Sequence, residues 1–204
     1  FFLNFNIIKI INRASLRWAF LETLTIIEAL SIMMACLLEL SNENSHYSGY
    51  SSIKAVTCAA VLNWLRLTGK AFEKIKIVST GGGAAGIACL TLLVELGVKK
   101  ENIFLYDHIG MVFSGRKKEM NAHKALFAQN TDPLAFEDAI ENADVFLGLS
   151  AANILSGSLV KKMADRPLIL ALANPDPEIL PSKAKKAKPD AIIATGRSDY
   201  PNQV

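Results

Sequence analysis

The sequence predicts an α/β fold, a doubly wound parallel sheet preceded by an N-terminal helical segment. Short apolar runs rich in β-branched residues alternate with longer runs at helical spacing from about residue 74 to residue 194. A glycine-rich turn joins the first strand run to the helix run after it. This alternation, with strands apolar on both faces, is typical of parallel sheets that helices cover on both sides.

Residues 1–52 differ in composition from the rest of the chain. The first 45 residues contain neither glycine nor proline and are rich in isoleucine, leucine and phenylalanine. A helix is predicted over residues 14–40, and the polar residues 41–52 predict a linker. The longest uncharged run, residues 29–38, is too short to span a bilayer, so we expect no membrane segment. We therefore divide the chain into an apolar helical segment with its linker, 1–52, and a sheet domain, 53–204.

The sheet domain begins with a helix predicted over residues 53–67. The predicted strands that follow cover residues 74–80, 102–106, 145–149, 168–173 and 191–194. The predicted helices between and after them cover residues 84–96, 121–128, 134–140, 156–163 and 178–187. A loop is predicted after the second strand, through Gly110 and Gly115.

The turn after the first strand has the pattern Gly-x-Gly-x-x-Gly. Gly81 allows a tight turn, Gly83 lets the backbone approach a pyrophosphate, and Gly86 lets helix and strand pack closely. The helix N-terminus presents unpaired N–H groups and the positive end of its dipole to phosphate. We therefore predict a dinucleotide-binding turn that includes Ala84 and Ala85. The alternative is a glycine turn that only helps the strand and the helix pack.

Asp107 ends the second predicted strand, about twenty residues after the last glycine of the turn. An acid at this spacing binds the adenosine ribose in dinucleotide-binding folds of the Rossmann type. Lys117 and Lys118, beside Arg116 and beyond Asp107, could face the 2′-phosphate of NADP, which a carboxylate repels. The predicted cofactor is therefore NAD or NADP, and Asp107 favours NAD.

Small and polar residues follow the later strands, at the sheet edge where ligands gather in this class of fold. Ser150 and Ala151 follow the third predicted strand and are small enough to admit an adenosine or nicotinamide ribose. Asn174 follows the fourth, and the proline after it keeps its backbone extended, so its amide can face a ligand. We add these three residues to the cofactor site. The alternative for Asn174 is a turn that only starts the next helix.

Charge and cysteine content narrow the classes of partner. The formal net charge is +3, too small to indicate nucleic-acid binding. Cys36, Cys58 and Cys89 have neither metal nor disulfide spacing and fit a reducing, cytoplasmic setting. The lysines within residues 183–188 are expected on a solvated helix face.

From about residue 53 to residue 204 the sequence resembles the NAD(P)-binding domain of bacterial malic enzymes. Matching runs lie at residues 78–85, 97–104 and 143–151, and the most specific are Ala-Leu-Ala-Asn-Pro-Asp-Pro-Glu at 171–178 and Ala-Thr-Gly-Arg-Ser-Asp-Tyr-Pro-Asn-Gln-Val at 194–204. The resemblance implies oxidative decarboxylation of malate to pyruvate and carbon dioxide, with hydride transfer to NAD or NADP. It also implies a homo-oligomer for the intact enzyme, and a place for Asn174 beside the nicotinamide or the substrate.

The resemblance further implies a divalent metal, Mg²⁺ or Mn²⁺, and a lysine and a tyrosine that transfer protons. No Glu-Asp metal pair precedes Ile53, and the family's Asp-Asp-Gln-His-Gly-Thr run falls on Ser-Gly-Tyr-Ser-Ser-Ile at residues 48–53. The family pattern also continues beyond residue 204, into an asparagine pair that helps hold malate. We therefore predict no catalytic and no metal-binding residues. The cofactor domain is expected to be incomplete at its C-terminus and, alone, inactive on malate.

Two other interpretations are open. The chain could be a non-catalytic dinucleotide-binding module or subunit, which an intact glycine turn beside missing metal ligands favours. It could also be a Rossmann dehydrogenase of another class, such as those acting on amino acids. The Arg-Ser-Asp-Tyr-Pro run at residues 197–201 weighs against that second interpretation.

Overall fold

A six-stranded sheet is the centre of the computed structural model, which describes residues 51–200 and Asn202. Its strands are β1 (Ile77–Thr80), β2 (Ile103–Asp107), β3 (Gly110–Met111), β4 (Val145–Gly148), β5 (Leu168–Ala171) and β6 (Ile192–Thr195). They lie in the order β3-β2-β1-β4-β5-β6, with β3 antiparallel to β2 and the other neighbours parallel. The predicted doubly wound sheet is confirmed, and the direction in which successive strands are added to the sheet reverses between β1 and β4.

Helices connect the strands. They are α1 (Ser51–Thr68), α2 (Ala84–Glu95), α3 (Ala122–Ala125), α4 (Phe136–Ile140), α5 (Gly157–Lys162) and α6 (Pro181–Ala187). The pair α1 and α2 pack on each other, and α5 packs on both α4 and α6. The helix predicted over residues 14–40 lies outside the described residues. Within the described part of the chain, no helix is both long enough and apolar enough to cross a membrane.

The core fills both faces of the sheet. Every residue of β1, β4 and β5 is buried. Val78, Phe146 and Ile169 belong to the cluster that includes side chains of α4, α5 and α6. Side chains alternate along a strand, so Ile77 and Leu147 point to the opposite face. Burial on both faces explains why the strands read as continuous apolar runs in the sequence.

The structure has one strand where a loop was predicted. Gly110–Met111 pairs with the end of β2, and Gly110 adopts a φ of +129°, which side-chain-bearing residues rarely adopt. The turn before it is stabilised by a hydrogen bond from the Ile109 N–H to Asp107 Oδ1, at 3.0 Å. Two residues are too few to show an alternating pattern, so the sequence carried no strand signal here.

The strand register brings the carboxyl ends of five strands to one edge. Thr80 lies opposite both Tyr106 and Gly148. Gly148 lies opposite Ala171, which in turn lies opposite Thr195. The segments that leave these strands therefore start side by side, although they are far apart in sequence.

The end of α1 is tied to the segment between α5 and β5. Trp64 is 1% exposed, and its indole Nε1 donates a hydrogen bond to the Arg166 carbonyl oxygen at 2.8 Å. The Arg166 guanidinium donates back to the carbonyl oxygens of Leu67 and Thr68 at 3.2 and 2.6 Å. These are among the last carbonyls of α1, which have no acceptor role inside the helix. The exchange fixes the C-terminal end of α1 to the segment before β5.

We expect Trp64→Phe to lower the free energy of unfolding by about 1–2 kcal/mol, because the Arg166 carbonyl loses its donor. Urea unfolding followed by circular dichroism measures this. Leu67→Ala is the control on the same helix: Leu67 is 68% exposed, and we expect a change within about 0.5 kcal/mol. Equal destabilisation by the two substitutions would contradict the anchoring role.

Candidate functional site

The turn between β1 and α2 is built on backbone contacts of Gly81. Its N–H donates to the carbonyl oxygen of Tyr106 on β2 at 2.9 Å, and its φ is +108°. A Cβ at this position would lie 2.4 Å from the carbonyl oxygen of Leu149, directly after β4. Only glycine fits such a position, and the turn is held against the strands on both sides of β1.

The two other glycines of the motif have opposite surroundings. A Cβ on Gly86 would lie 2.1 Å from the carbonyl oxygen of Gly81, so α2 rests directly on the turn. A Cβ on Gly83 would meet no described atom within 4 Å. Gly83 is also exposed. The motif therefore combines one closely packed glycine with one that leaves open space above the backbone.

That open space lies at the N-terminus of α2. Gly83 is the N-cap residue and has no side chain to cap the first turn. Helical hydrogen bonding begins with the Ile87 N–H, which donates to the Gly83 carbonyl oxygen at 3.0 Å. The preceding N–H groups, on Ala84, Ala85 and Gly86, have no acceptor within the helix. A twelve-residue helix with a free first turn suits a phosphate group.

Asp107, at the end of β2, has both carboxylate oxygens occupied. Its Oδ2 accepts hydrogen bonds from Arg116 Nη2 at 2.6 Å and Lys124 Nζ at 2.7 Å. The Asp107 side chain is 6% exposed. Burial by itself raises the pKa of Asp107, but the hydrogen bonds from Arg116, Lys124 and the Ile109 N–H outweigh it and hold the pKa well below its usual range. One negative charge therefore stands between two positive charges.

Arg116, the chain neighbour of Lys117 and Lys118, does not face the open site. Its side chain is 4% exposed. Besides Asp107, the guanidinium donates to the two carbonyl oxygens of β3 and to the Lys118 carbonyl oxygen. Arg116 thus braces the β2–β3 hairpin, while Lys117 and Lys118 are exposed.

Sequence reasoning did not identify Lys124. This residue comes from α3, where Asn121 caps the helix by accepting a hydrogen bond from the Lys124 N–H at 2.9 Å. The Lys124 stem lies on the glycine turn, since its Cε would be 2.9 Å from a Cβ on Gly82. A four-residue helix has no periodicity that would orient one of its lysines inward. The glycine at position 82 was the one available signal for a close neighbour.

At the ends of β4 and β5, a buried carboxylate joins two loops. Glu178 is 0% exposed. Its Oε1 accepts from the Ser150 N–H at 3.1 Å, and its Oε2 accepts from the Ala173 N–H at 3.0 Å. Burial raises the pKa of Glu178, against the opposing effect of these N–H donors. A Cβ on Gly148 would lie 2.3 Å from Glu178 Cδ, so glycine is required there.

The remaining predicted residues lie on the surface of these loops. Ser150, Ala151 and Asn174 are exposed. Arg197, after β6, donates to the Pro175 carbonyl oxygen and pairs with Asp199 at 2.8 and 3.0 Å. The sheet register therefore places the glycine turn, Asp107 and the loops after β4 and β5 along one edge.

The donor groups of the described residues fit a dinucleotide and form no metal site. The open Gly83 position and the free first turn of α2 form a cradle that phosphate can enter. Across residues 51–200 and Asn202, no three or more His, Cys, Asp or Glu side chains cluster closely enough to hold a metal ion. The described residues therefore offer no protein cage for Mg²⁺ or Mn²⁺.

Comparison with known proteins agrees with this chemistry. The family described as malic enzyme, NAD binding domain, matches residues 51–202. The NAD-dependent malic enzyme of Rhizobium meliloti is 54% identical over 149 residues, which are 73% of this chain and 19% of that protein. The NADP-dependent malic enzyme of Haemophilus influenzae is 52% identical over 150 residues, 73% of this chain and 20% of that protein.

A solved malic enzyme structure is also similar to this chain. The crystal structure of the NAD-dependent malic enzyme from Thermotoga maritima aligns with a TM-score of 0.67 and 42% identity, over 74% of this chain and 41% of that one. The chain spans about a fifth of the length of the two relatives named above. The family match over residues 51–202 includes every described strand and helix. The chain belongs to the malic enzyme family, whose members are NAD(P)-dependent oxidoreductases, and represents its NAD-binding domain.

Proposed function

We propose that residues 51–202 bind NAD or NADP with the pyrophosphate on the first turn of α2. The observation that carries this proposal is the contrast between Gly86, where a Cβ would collide with backbone, and Gly83, where it would meet nothing. Close packing explains why position 86 is glycine. It does not explain Gly83, because a turn needed only for packing would accept a side chain there. The N–H groups of Ala84, Ala85 and Gly86 are the phosphate donors in this proposal.

The adenosine and nicotinamide ends then lie on either side of the turn. Asp107 receives the adenosine ribose at the end of β2, and Ser150, Ala151 and Asn174 face the nicotinamide end. Their exposure beyond β4 and β5 supports this arrangement. The switch point between β1 and β4 is where this class of sheet receives its ligand.

The choice between NAD and NADP depends on the net charge around Asp107. A lone carboxylate would repel a 2′-phosphate, but Arg116 and Lys124 bring the local charge to about +1. Lys124 has three N–H bonds and uses two of them, on Asp107 and on the Glu119 carbonyl oxygen. We propose that the site accepts both cofactors, with Asp107 serving the 2′-hydroxyl and Lys124 the 2′-phosphate.

For a whole protein that contains this domain, we propose oxidative decarboxylation of malate to pyruvate and carbon dioxide, with hydride transfer to the bound cofactor. The names and similarity of the relatives support this. A divalent metal would supply electrostatic stabilisation of the enolate in that reaction. The described residues lack a ligand set for such a metal. Cofactor binding is the part that this chain's own residues perform.

A non-catalytic dinucleotide-binding module is the second candidate. It is favoured by the combination of a well-formed glycine turn with no metal-binding cluster in the described part of the chain. We further propose a cytoplasmic location and assembly into homo-oligomers. Cys89 is buried and takes part in no disulfide, which supports a reducing compartment.

We expect Gly83→Val to abolish NADH binding without lowering the free energy of unfolding. Its added side chain occupies the phosphate position, yet its backbone φ of −82° is allowed for valine and no described atom stands within 4 Å of the Cβ. Fluorescence titration with NADH and urea unfolding measure the two quantities. Gly86→Val is the comparison, and it should lose both folding and binding. Unchanged NADH affinity in Gly83→Val would contradict the phosphate site.

We expect Lys124→Met to weaken NADPH about tenfold and NADH less than about threefold, since only NADPH carries the 2′-phosphate. Parallel fluorescence titrations of both cofactors at one ionic strength give the ratio. Lys186→Met removes the same charge from an exposed position on α6 and should leave both affinities unchanged. An equal loss for the two cofactors would assign Lys124 to the turn's stability instead.

We expect the 204-residue chain to form no reduced cofactor from malate in the presence of Mn²⁺ and NAD or NADP. The physical reason is the lack of a metal-binding cluster among the described residues. Absorbance of reduced nicotinamide measures turnover, with the Thermotoga maritima enzyme as the positive control. Malate- and metal-dependent reduction by this chain at a rate near the control's would overturn the expectation.

A further inference from the structure

Glu178 is a buried charge that the proposed cofactor contacts do not use. It lies between β5 and α6, and its side chain is fully buried. Among the described residues its carboxylate pairs with no lysine or arginine, and its hydrogen-bond donors are backbone N–H groups. Burying a carboxylate on such terms is costly compared with burying an apolar side chain of similar size.

The two oxygens of Glu178 hold two different loops. One accepts from Ser150, in the loop after β4, and the other from Ala173, next to Asn174 in the turn after β5. The same two segments are joined by main-chain bonds: the Leu155 N–H donates to the Glu178 carbonyl oxygen at 3.1 Å. A second bond runs from the Asn153 N–H to the Pro177 carbonyl oxygen at 3.2 Å. Side chain and main chain thus form one unit.

The position of the carboxylate is specific. It occupies the volume that a side chain at Gly148 would fill, at the end of β4 beside the switch point. One of the two N–H groups that donate to it belongs to Ser150 itself, and the other belongs to Ala173, which adjoins the exposed Asn174. A leucine could fill the same space, but it could not fix the orientation of either backbone segment.

We propose that Glu178 is a positioning residue: its carboxylate holds the loop after β4 and the turn after β5 at the spacing that receives the nicotinamide end of the dinucleotide. This inference rests on the proposed function. It assigns Glu178 no contact with the cofactor; Glu178 acts through Ser150 and Asn174. The adenosine and pyrophosphate contacts, on the glycine turn and Asp107, are independent of it.

Calorimetric titration of the full chain with two ligands tests the proposal. NADH carries the nicotinamide, and ADP-ribose has the same adenosine, pyrophosphate and second ribose without it. In Glu178→Gln the amide keeps the shape but turns an N–H₂ group toward one backbone donor. We expect NADH to bind about tenfold more weakly and ADP-ribose to change less than about twofold. Glu137→Gln, at an exposed position on α4, is the matched control and should change neither.

The outcomes distinguish a failure of cofactor binding from a failure of the positioning role of Glu178. If the unmodified protein binds neither ligand, the proposed function fails. If it binds both, and Glu178→Gln weakens both equally or neither, the positioning role is overturned. Hydrogen exchange on the unmodified protein gives a test that needs no variant: NADH, but not ADP-ribose, should slow amide exchange in residues 150–155 and 173–178 together. Protection of only one of these segments would also overturn it.

Discussion

The arrangement of the site depends on the seat of Gly81 between β2 and β4. Its N–H is held by the Tyr106 carbonyl oxygen, and its Cα faces the Leu149 carbonyl oxygen at a distance that excludes any side chain. Gly86 then rests on the Gly81 carbonyl oxygen, which sets the start of α2. A displacement of this turn would move the helix N-terminus relative to every strand end at once. A rigid sheet register and a bare backbone together therefore define where an anion can bind.

Two buried carboxylates flank that turn, and the chain stabilises them differently. Asp107 is matched by the cations Arg116 and Lys124, which lower its pKa and keep it ionised. Glu178 is matched only by backbone N–H groups, and burial raises its pKa. At a site open to a charged ligand, cations can offset the negative charge of a carboxylate. The net charge of the carboxylate and its cations then sets which ligand is preferred. Where the donors are backbone N–H groups, the carboxylate instead fixes the positions of the main-chain segments that carry them, because each segment is held at hydrogen-bond length.

Among the described residues, local pattern was sufficient for the five parallel strands, the helices and the glycine turn, because each is encoded within a few consecutive residues. The family assignment followed from the same runs and is confirmed by the comparisons. Local pattern failed where tertiary packing decides. The hairpin strand Gly110–Met111 is too short for periodicity, and Arg116 points inward because of an acid nine residues earlier. In the sequence Glu178 is only the last residue of a family motif. Its burial could not be predicted, because no neighbouring residue indicates that Gly148 leaves room for its side chain.

The two halves of the site differ in how they are assembled. The phosphate cradle comes from one continuous segment, residues 80–87, and needs only that its strand and helix pack. In the proposed arrangement, the nicotinamide side is built from the loop after β4, the turn after β5 and the segment beyond β6, which the hydrogen bonds of Glu178 and Arg197 connect. The geometry of the continuous segment depends on its own glycines, whereas the edge built from three distant segments depends on ties such as the hydrogen bonds of Glu178. The glycine motif alone thus predicts that a dinucleotide binds, and in the proposed arrangement the hydrogen bonds between distant loops decide how its reactive end is held.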